Sequence, residues 1–178
     1  MQLRSGELVL KSFEPALTAV LYDVRNHPSV RQYLHATRPI DRDAHERWVH
    51  ENLVAERKVH LFLAYTGEMP VGLALLRNFE GATAEIGVMM VDARRRRLAA
   101  YKAAHLIGYY GFEVLGLARL LSYVPRHNTH ALAFNEACGF TRTGHDSEAY
   151  FELALGRDES RSHAVHRRFR ARYPIAVG

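Results

Sequence analysis

Cysteine is nearly absent from this sequence, since Cys138 is the only one among 178 residues. A single thiol cannot form an internal disulfide, and it excludes a metal site built from several cysteines. Long apolar runs are absent too, because no window approaches the roughly 20 apolar residues of a membrane-spanning helix. Residues 1–6 also lack the apolar stretch of a signal peptide. We therefore expect a cytoplasmic protein with no membrane partner.

The net charge of +5 is distributed unevenly along the chain. Arg94–Arg97 contribute +4 and the segment 157–172 contributes another +4, so the rest of the chain is slightly acidic. Uniform basicity would favour nucleic-acid binding, whereas a compact arginine run favours a local anion site. We therefore do not expect nucleic acid as a partner.

Composition and patterning predict one domain that spans residues 1–178. Apolar residues make up 48% and charged residues 24% of the chain, and no repeat or low-complexity segment interrupts it. Strand and helix patterns are interspersed, which predicts an α/β (α+β) fold with a mixed, mostly antiparallel central sheet flanked by helices. We assign the core to residues 8–155 and a basic C-terminal helix or tail to residues 156–178. The predicted strands lie at 8–13, 60–65, 70–77, 83–91, 119–124, from 140, and at 150–155; the predicted helices lie at 16–34 with a break at 26–28, at 41–57, 98–115, 129–137 and 160–173.

The run from Glu85 to Ala100 joins a predicted strand to the start of a long apolar helix. A helix N-terminus offers unpaired backbone N–H groups and a positive dipole, and the four arginines before it add full charges. Such a place is suited to bind phosphate groups. The alternative is that the arginines form a solvated loop without a ligand.

Five short motifs follow one another in a fixed order. They are Ala84–Gly87, the loop Arg95–Ala100, the pair 111–112, Leu115–Leu117, and Asn128 placed 11 residues before Gly139-Phe140. No single motif is specific, but their order and spacing together resemble the GNAT superfamily of acyl-CoA N-acyltransferases. Within it the chain is most similar to the RimJ/RimL-type branch of ribosomal-protein N-terminal acetyltransferases. The resemblance covers residues 8–155 and implies a single-domain GNAT-like fold.

The resemblance also implies an activity. An amine attacks the thioester of acetyl-CoA directly, with no metal, so the expected partners are acetyl-CoA and an amine acceptor. The helices between residues 16 and 57 and the last strand pair are expected to wall the amine side. Their mixed charge leaves a small-molecule amine, an amino sugar and a protein N-terminus all open as acceptors. The sequence also leaves open whether the chain is a homodimer.

Site residues are carried over from the family pattern by position. Glu85 is expected to be the base, acting through a water, with a salt-bridge partner as its alternative role. A backbone N–H between Val88 and Val91 is expected to stabilise the oxyanion. The residues expected to bind the coenzyme are Met90, Val91, Arg95, Arg96, Arg97, Leu98, Ala99, Ala100, Asn128 and Asn135.

Three positions depart from the family pattern. Leu98 stands where the phosphate loop of relatives has glycine, although a register one residue earlier would put Arg97 there. Asn135 replaces the tyrosine that many relatives place there, and Ala131 replaces the serine of the RimJ/RimL branch. Neither usual proton donor is present, which supports an alternative function as a catalytically weak acyl-CoA-binding or sensor module. The nearby residues that could protonate the thiolate instead are Tyr123, His127, His130 and Cys138.

The 11 histidines do not predict a metal site. His45 and His50 are five residues apart, and His127 and His130 are three apart without a carboxylate at matching helical spacing. The second pair flanks Asn128, where a polar helix cap is the simpler explanation. We therefore predict no bound metal.

Overall fold

The computed structural model describes residues 1–31, 38–92 and 97–178. Within this part of the chain, nine strands form one sheet in the order β7-β8-β6-β5-β4-β3-β2-β1-β9. Neighbouring strands are antiparallel except for β5 and β6, which run parallel. The strands are β1 (Gln2–Ser5), β2 (Leu8–Ser12), β3 (His60–Thr66), β4 (Met69–Glu80), β5 (Thr83–Met90), β6 (Arg119–Pro125), β7 (Thr141–Arg142), β8 (Tyr150–Gly156) and β9 (Ile175–Val177).

Helices cover both faces of this sheet. The longest described helix, α4, packs on the central strands β4 and β5 and on the β1–β2 hairpin, whereas α1 contacts β4 and α3 on the opposite face. The helices are α1 (Thr18–Asn26), α2 (Pro28–Arg31), α3 (Arg42–Val49), α4 (Arg97–Tyr109), α5 (Thr129–Ala137), α6 (Arg157–Ser162) and α7 (Ala164–Arg172). α3 and α4 each continue into a wider turn, at His50–Ala55 and Tyr110–Val114 respectively.

Two apolar clusters hold these layers together, one on each face of the sheet. On the α4 face, Ala103, Leu106 and Ile107 are fully buried against strand residues such as Ile86. On the α1 face, Leu21 packs with a smaller set of strand side chains. Successive side chains of a strand point to opposite faces. The alternation along β5 therefore turns Glu85 and Met89 toward the α1 face, and Ile86 toward the α4 face.

The predicted fold class is confirmed: the sheet is mixed, mostly antiparallel and flanked by helices. The prediction that 150–155 forms the last strand is wrong, because β9 follows at the edge of the sheet and pairs with β1, a hairpin strand that the sequence also did not indicate. Both strands are short, and backbone bonds between Gln2 and Gly178 join the two chain ends. Strands of three or four residues are too short to show a clear side-chain periodicity.

The basic C-terminal segment forms two helices, α6 and α7, rather than the single surface helix expected at 160–173. Arg157 donates to the Leu117 carbonyl at 2.8 Å, and Arg161 forms an ion pair with Glu113 at 2.7 Å. His166 is buried, and its Nε2 lies 2.6 Å from the Cys138 carbonyl oxygen. Part of the basic charge therefore attaches this segment to the rest of the molecule.

Candidate active site

The two parallel strands at the centre of the sheet diverge after a short paired stretch. β5 and β6 are in register only from Thr83 to Glu85 on one side and from Arg119 to Leu121 on the other. Beyond this point they separate and open a cleft of about 700 Å³ that passes between the strands. Side chains from both faces of the sheet line it, so the cleft connects the α4 face with the α1 face. We call this divergence the fork.

Backbone amides of β5 point into the fork. The Val91 N–H donates to the Val71 carbonyl on β4 at 2.9 Å, and N–H direction alternates along a strand. The N–H groups of Val88 and Met90, which follow the paired stretch, therefore point toward the open β6 side. Among the positions expected to supply an oxyanion donor, Val88 and Met90 have this orientation, while Val91 is committed to β4.

The α4 side of the fork leads into a mostly apolar pocket of about 250 Å³. Asn128 caps α5 there, because its Oδ1 accepts a hydrogen bond from the Ala131 N–H at 3.0 Å. Residues of β5 and of the helices α2, α4 and α5 line this pocket. Three of them, Met90, Ala100 and Asn128, are predicted coenzyme-binding residues. Its lining includes Ser29, Val30, Val88, Met89, Met90, Ala100, Tyr101, Asn128, His130, Ala131, Ala133, Phe134 and Ala137.

The arginine loop lies partly outside the described residues. Nothing is described for Arg95 and Arg96, and of Arg97 only the backbone is described, as the first residue of α4. The next residue, Leu98, is 48% exposed, whereas Ala100 is buried and reaches the pocket. The start of α4 therefore lies beside the apolar pocket, which is the place the sequence predicts for phosphate binding.

The α1 side of the fork opens into a second pocket of about 550 Å³ along β4, β5 and β6. Arg77, Glu85, Tyr123 and Tyr150 line both this pocket and the fork cleft, so the two spaces are continuous. Phe79 and Glu80 form its outer end. This side offers carboxylates and aromatic rings, in contrast to the apolar pocket on the other side.

Glu85 lies at the apex of the fork and is held by two donors. Arg77 Nη2 donates to its Oε1 at 2.5 Å, and Asn78 Nδ2 donates to its Oε2 at 2.6 Å. Its side chain is only 11% exposed. Glu85 therefore has the salt-bridge role that the sequence allowed. A carboxylate has about four acceptor positions, so lone pairs on both oxygens stay available for a further donor.

A bulge in β4 brings the side-chain amide of Asn78 to the Glu85 carboxylate. The register between β4 and β5 shifts between Arg77 and Glu80, and Asn78 adopts a left-handed backbone conformation with φ of 51°. Bulges of this kind redirect side chains and are common beside active sites. Arg77 and Asn78 carry no signal in the sequence, because they reach Glu85 through the register of the β4–β5 hairpin, which the amino-acid pattern does not specify.

Tyr123 extends the polar network on the same face. It stands directly opposite Glu152 of the neighbouring strand β8. Burial raises the pKa of Tyr123, and the charges of Glu152, Glu85 and Glu80 raise it further. The phenol is thus kept in its neutral form. Tyr123 is one of the alternative proton donors that the sequence indicates, whereas no motif indicates Glu152.

The positions that relatives use for a proton donor supply none here. Asn135 lines the cleft, but its Nδ2 donates to the Ala131 carbonyl of its own helix at 2.8 Å, and a carboxamide has no acidic proton to give. Cys138 lines the cleft, but burial raises the pKa of its thiol to about 12, which keeps it protonated and unreactive. His127 lines the cleft and His130 lines the apolar pocket.

His45 serves the fold rather than a metal. Its Nε2 donates to the Thr18 carbonyl at 3.2 Å, and its Nδ1 accepts from Arg25 at 3.3 Å. Burial, above all, lowers the pKa of His45, which fits this neutral form. Among residues 1–31, 38–92 and 97–178, no three His, Cys, Asp or Glu side chains gather in a way that could hold a metal ion.

Comparison with known proteins identifies the family. The sequence model of the acetyltransferase (GNAT) domain matches residues 7–141, which is most of the chain. The chain belongs to the GNAT acetyltransferase family. The prediction that it is an acetyltransferase enzyme is thereby confirmed. One GNAT relative is acetyltransferase PseH of Campylobacter jejuni, which is 26% identical over 132 residues, covering 74% of this chain and 82% of PseH.

Solved GNAT structures share the fold at low sequence identity. The spermidine N-acetyltransferase from Vibrio cholerae, in complex with CoA and spermine, superimposes with a TM-score of 0.74 at 18% identity, covering 86% of this chain and 97% of that protein. Apo FdhC, a nucleotide-linked sugar GNAT, gives a TM-score of 0.79 at 16% identity and covers 97% and 98% of the two chains. In this chain, no helix of the described part is long and apolar enough to cross a membrane.

Proposed function

We propose that the protein transfers the acetyl group of acetyl-CoA to a primary amine. The observation that carries this proposal is the fork, which connects an apolar pocket beside α4 and α5 with a polar pocket on the opposite face. A donor and an acceptor that enter from opposite faces meet at the β5 edge. Acetyl-CoA supplies the thioester that the amine attacks.

The residues on the α4 side fit the coenzyme. The open N–H groups of Val88 and Met90 offer donors to an extended, amide-containing chain and to the developing oxyanion. Ala100 and Phe134 supply the apolar wall. The arginines at 95–97, at the start of α4, are proposed to bind the diphosphate. The full proposed coenzyme set is Met90, Val91, Arg95, Arg96, Arg97, Leu98, Ala99, Ala100, Asn128 and Asn135, with Val91 and Asn135 contributing through packing because their N–H groups are engaged elsewhere.

Glu85 is proposed to receive the proton of the amine through a water. Besides its contacts with Arg77 and Asn78, its side chain lines both the fork cleft and the pocket on the α1 side. The nearby carboxylates of Glu80 and Glu152 favour a cationic ammonium over a neutral alcohol as the incoming group. An amino sugar, a polyamine and a protein N-terminus all present such a group.

Two finer predictions stay open within this proposal. Membership of the RimJ/RimL branch is one, and it implies a protein N-terminus as the acceptor. The names of the compared proteins instead mention spermidine and a nucleotide-linked sugar as ligand or substrate class. Cytoplasmic location is the other, and the sequence leaves open whether the chain is a homodimer.

A catalytically weak coenzyme-binding or sensor module is the second candidate function. It is favoured by Asn135, whose amide is bound to its own helix, and by Ala131, which has no hydroxyl. Neither position can protonate the leaving thiolate. The enzyme function does not require such a donor, however. The thiol of the coenzyme has a pKa near the ~8.5 of a free cysteine, so it can leave as a thiolate without a strong acid.

Thiol release from acetyl-CoA distinguishes the two functions. We expect wild-type protein to release thiol with at least one member of a panel of amino sugars, amino acids, polyamines and short peptides. Glu85→Gln should reduce the rate about 100-fold or more, the lower range for general-base catalysis. A thermal-shift measurement with CoA confirms binding in both proteins. Binding without turnover on any amine would establish the module instead.

A further inference from the structure

The short helix α2 forms one wall of the apolar pocket on the α4 side of the fork. Ser29 and Val30 line this pocket together with Met90 of β5 and Ala100 of α4. Val30 is only 2% exposed, so α2 packs against the rest of the molecule. Neither Ser29 nor Val30 belongs to the coenzyme-binding set that the family pattern indicates.

The position of α2 depends on its contacts with other elements. The helix has only four residues, Pro28–Arg31. A single turn is not stable in water by itself, because its few hydrogen bonds do not offset the entropy lost in forming it. The N–H groups of Val30 and Arg31 both donate to the His27 carbonyl at 2.9 Å, which attaches α2 to the end of α1. What holds it at the pocket must come from elsewhere.

The Ser29 hydroxyl joins α2 to the residue that follows β5. The Asp92 N–H donates to Ser29 Oγ at 2.9 Å. Asp92 has a left-handed backbone conformation with φ of 50°, which aspartate tolerates better than most residues. The preceding Val91 N–H donates to the Val71 carbonyl at 2.9 Å. The end of β5 is thus bonded both to β4 and to α2.

His27 orients the Ser29 hydroxyl for this bond. The Ser29 N–H donates to His27 Nδ1 at 3.3 Å, so this nitrogen carries no proton and acts as an acceptor. The same nitrogen lies 2.8 Å from Ser29 Oγ, and the hydroxyl proton is therefore directed to it. The oxygen lone pairs then accept the Asp92 N–H.

We propose that Ser29 is a positioning residue for the coenzyme, because its bond to Asp92 holds α2 against β5 as a preformed wall of the pocket. A wall that is already in place need not be ordered when the ligand binds, which increases affinity. The inference rests on the proposed function and adds α2 to the coenzyme site. The wall contacts the coenzyme before and during the reaction alike, so Ser29 should affect coenzyme binding and not the chemical step.

Isothermal titration with CoA tests this role. We expect Ser29→Ala to bind CoA about fivefold more weakly than wild type, the equivalent of one ordinary hydrogen bond. Ser29→Thr keeps the hydroxyl and should bind within about twofold of wild type. In steady-state kinetics with the best amine of the panel, Ser29→Ala should raise KM for acetyl-CoA by the same factor, with kcat and KM for the amine unchanged.

Ser162→Ala is the matched control. Its hydroxyl donates to the Asp158 carbonyl at 2.8 Å on the exposed surface of α6, so the substitution removes a comparable bond far from the pocket. We expect it to bind CoA as wild type does. Equal CoA affinity in wild type and Ser29→Ala, or an equal loss in Ser162→Ala, would overturn the role of Ser29.

The double variant His27→Phe/Ser29→Ala shows whether His27 acts through Ser29. We expect it to bind CoA no more weakly than Ser29→Ala alone, because the hydroxyl that His27 orients is already gone. Multiplied effects would contradict the arrangement. A wild-type protein that binds no CoA would instead overturn the proposed function, whereas CoA binding without turnover would leave the role of Ser29 in binding intact.

Discussion

Asn78 combines a left-handed backbone with a side-chain hydrogen bond to Glu85. Among residues other than glycine, asparagine tolerates this backbone conformation best, and its short amide reaches a neighbouring group. The bulge at Arg77–Glu80 puts Asn78 beside the Glu85 carboxylate. Asn78 therefore fixes the orientation of the carboxylate that we propose as the base, although no motif distinguishes it in the sequence.

Two substitutions at Asn78 separate its two contributions. Asn78→Gly keeps the backbone conformation and removes the amide, so we expect a loss of stability of about 1 kcal/mol and a several-fold lower kcat. Asn78→Ala should lose a further ~1 kcal/mol from backbone strain, with the same kcat as the glycine variant. Urea unfolding and thiol release measure both effects. Full activity in Asn78→Gly would show that the amide does not position Glu85.

Residues within one motif were predictable, and residues assembled from several strands were not. Glu85 and Asn128 were found because each belongs to a motif with fixed spacing, and the structure places both at the cleft. Glu152 lies 29 positions after Tyr123 and meets it only through the β6–β8 register. A pairing of this kind depends on tertiary structure, so local pattern carries no signal for it.

At the scale of elements, strand and helix periodicity located most of the sheet and the helix α4. The strands β3 and β4 follow continuous apolar runs that the sheet buries, and α4 follows a mostly apolar stretch. The strands β1 and β9 were not predicted because segments of only four and three residues are too short to show a strand periodicity. The fork was not visible in the sequence either, since it arises from where the β5–β6 pairing stops.

Replacing the arginines at the N-terminus of α4 tests whether this helix end binds the coenzyme diphosphate. We expect the triple alanine variant at Arg95, Arg96 and Arg97 to bind CoA at least tenfold more weakly, because it removes charge from the place of the diphosphate. The matched control replaces Arg167, Arg168 and Arg172 with alanine. These residues are exposed on α7, and their replacement removes the same amount of charge. Isothermal titration measures both. Equal affinities in the two triple variants would contradict a phosphate site at α4.

At the scale of the whole molecule, buried histidines link stability to pH. Burial, together with His166 and Arg170, lowers the pKa of His105 from 6.5 to about 4, and burial also lowers the pKa of His45, His60 and His166. His105 Nε2 is a buried polar atom without a hydrogen-bond partner among the described residues. The folded protein thus favours the neutral imidazoles, whereas the unfolded chain binds protons more readily.

The pH dependence of unfolding follows from this difference. Between pH 6.5 and 4 the unfolded state binds more protons than the folded state, so stability should fall as the pH decreases. His105 alone accounts for roughly 3 kcal/mol over this range. Urea unfolding at pH 7.5 and 5 measures the loss. His105→Phe should reduce the pH dependence, and the exposed-site control His50→Gln should not; an unchanged dependence in His105→Phe would contradict this account.

At the same scale, the structure accounts for part of the basic charge of the C-terminal segment. Arg157 and Arg161 of α6 hydrogen-bond to Leu117 and Glu113 in the rest of the fold, and Arg170 of α7 hydrogen-bonds to the Ser160 carbonyl and so joins α7 to α6. The remaining arginines of this segment are exposed on α7. The second basic segment therefore contributes to attachment of the C-terminal helices, and the run at 94–97 remains the candidate for coenzyme binding because it leads into α4 in the sequence.

Transfer of a labelled acetyl group tests the central claim most directly. The protein is incubated with ¹³C-acetyl-CoA and the amine panel, and the products are identified by mass spectrometry. We predict that a primary amine acquires the labelled acetyl group with wild-type protein, and that Glu85→Gln forms at least tenfold less of this product. Label that stays on the coenzyme or appears only as acetate, although CoA binding is intact, would contradict the account.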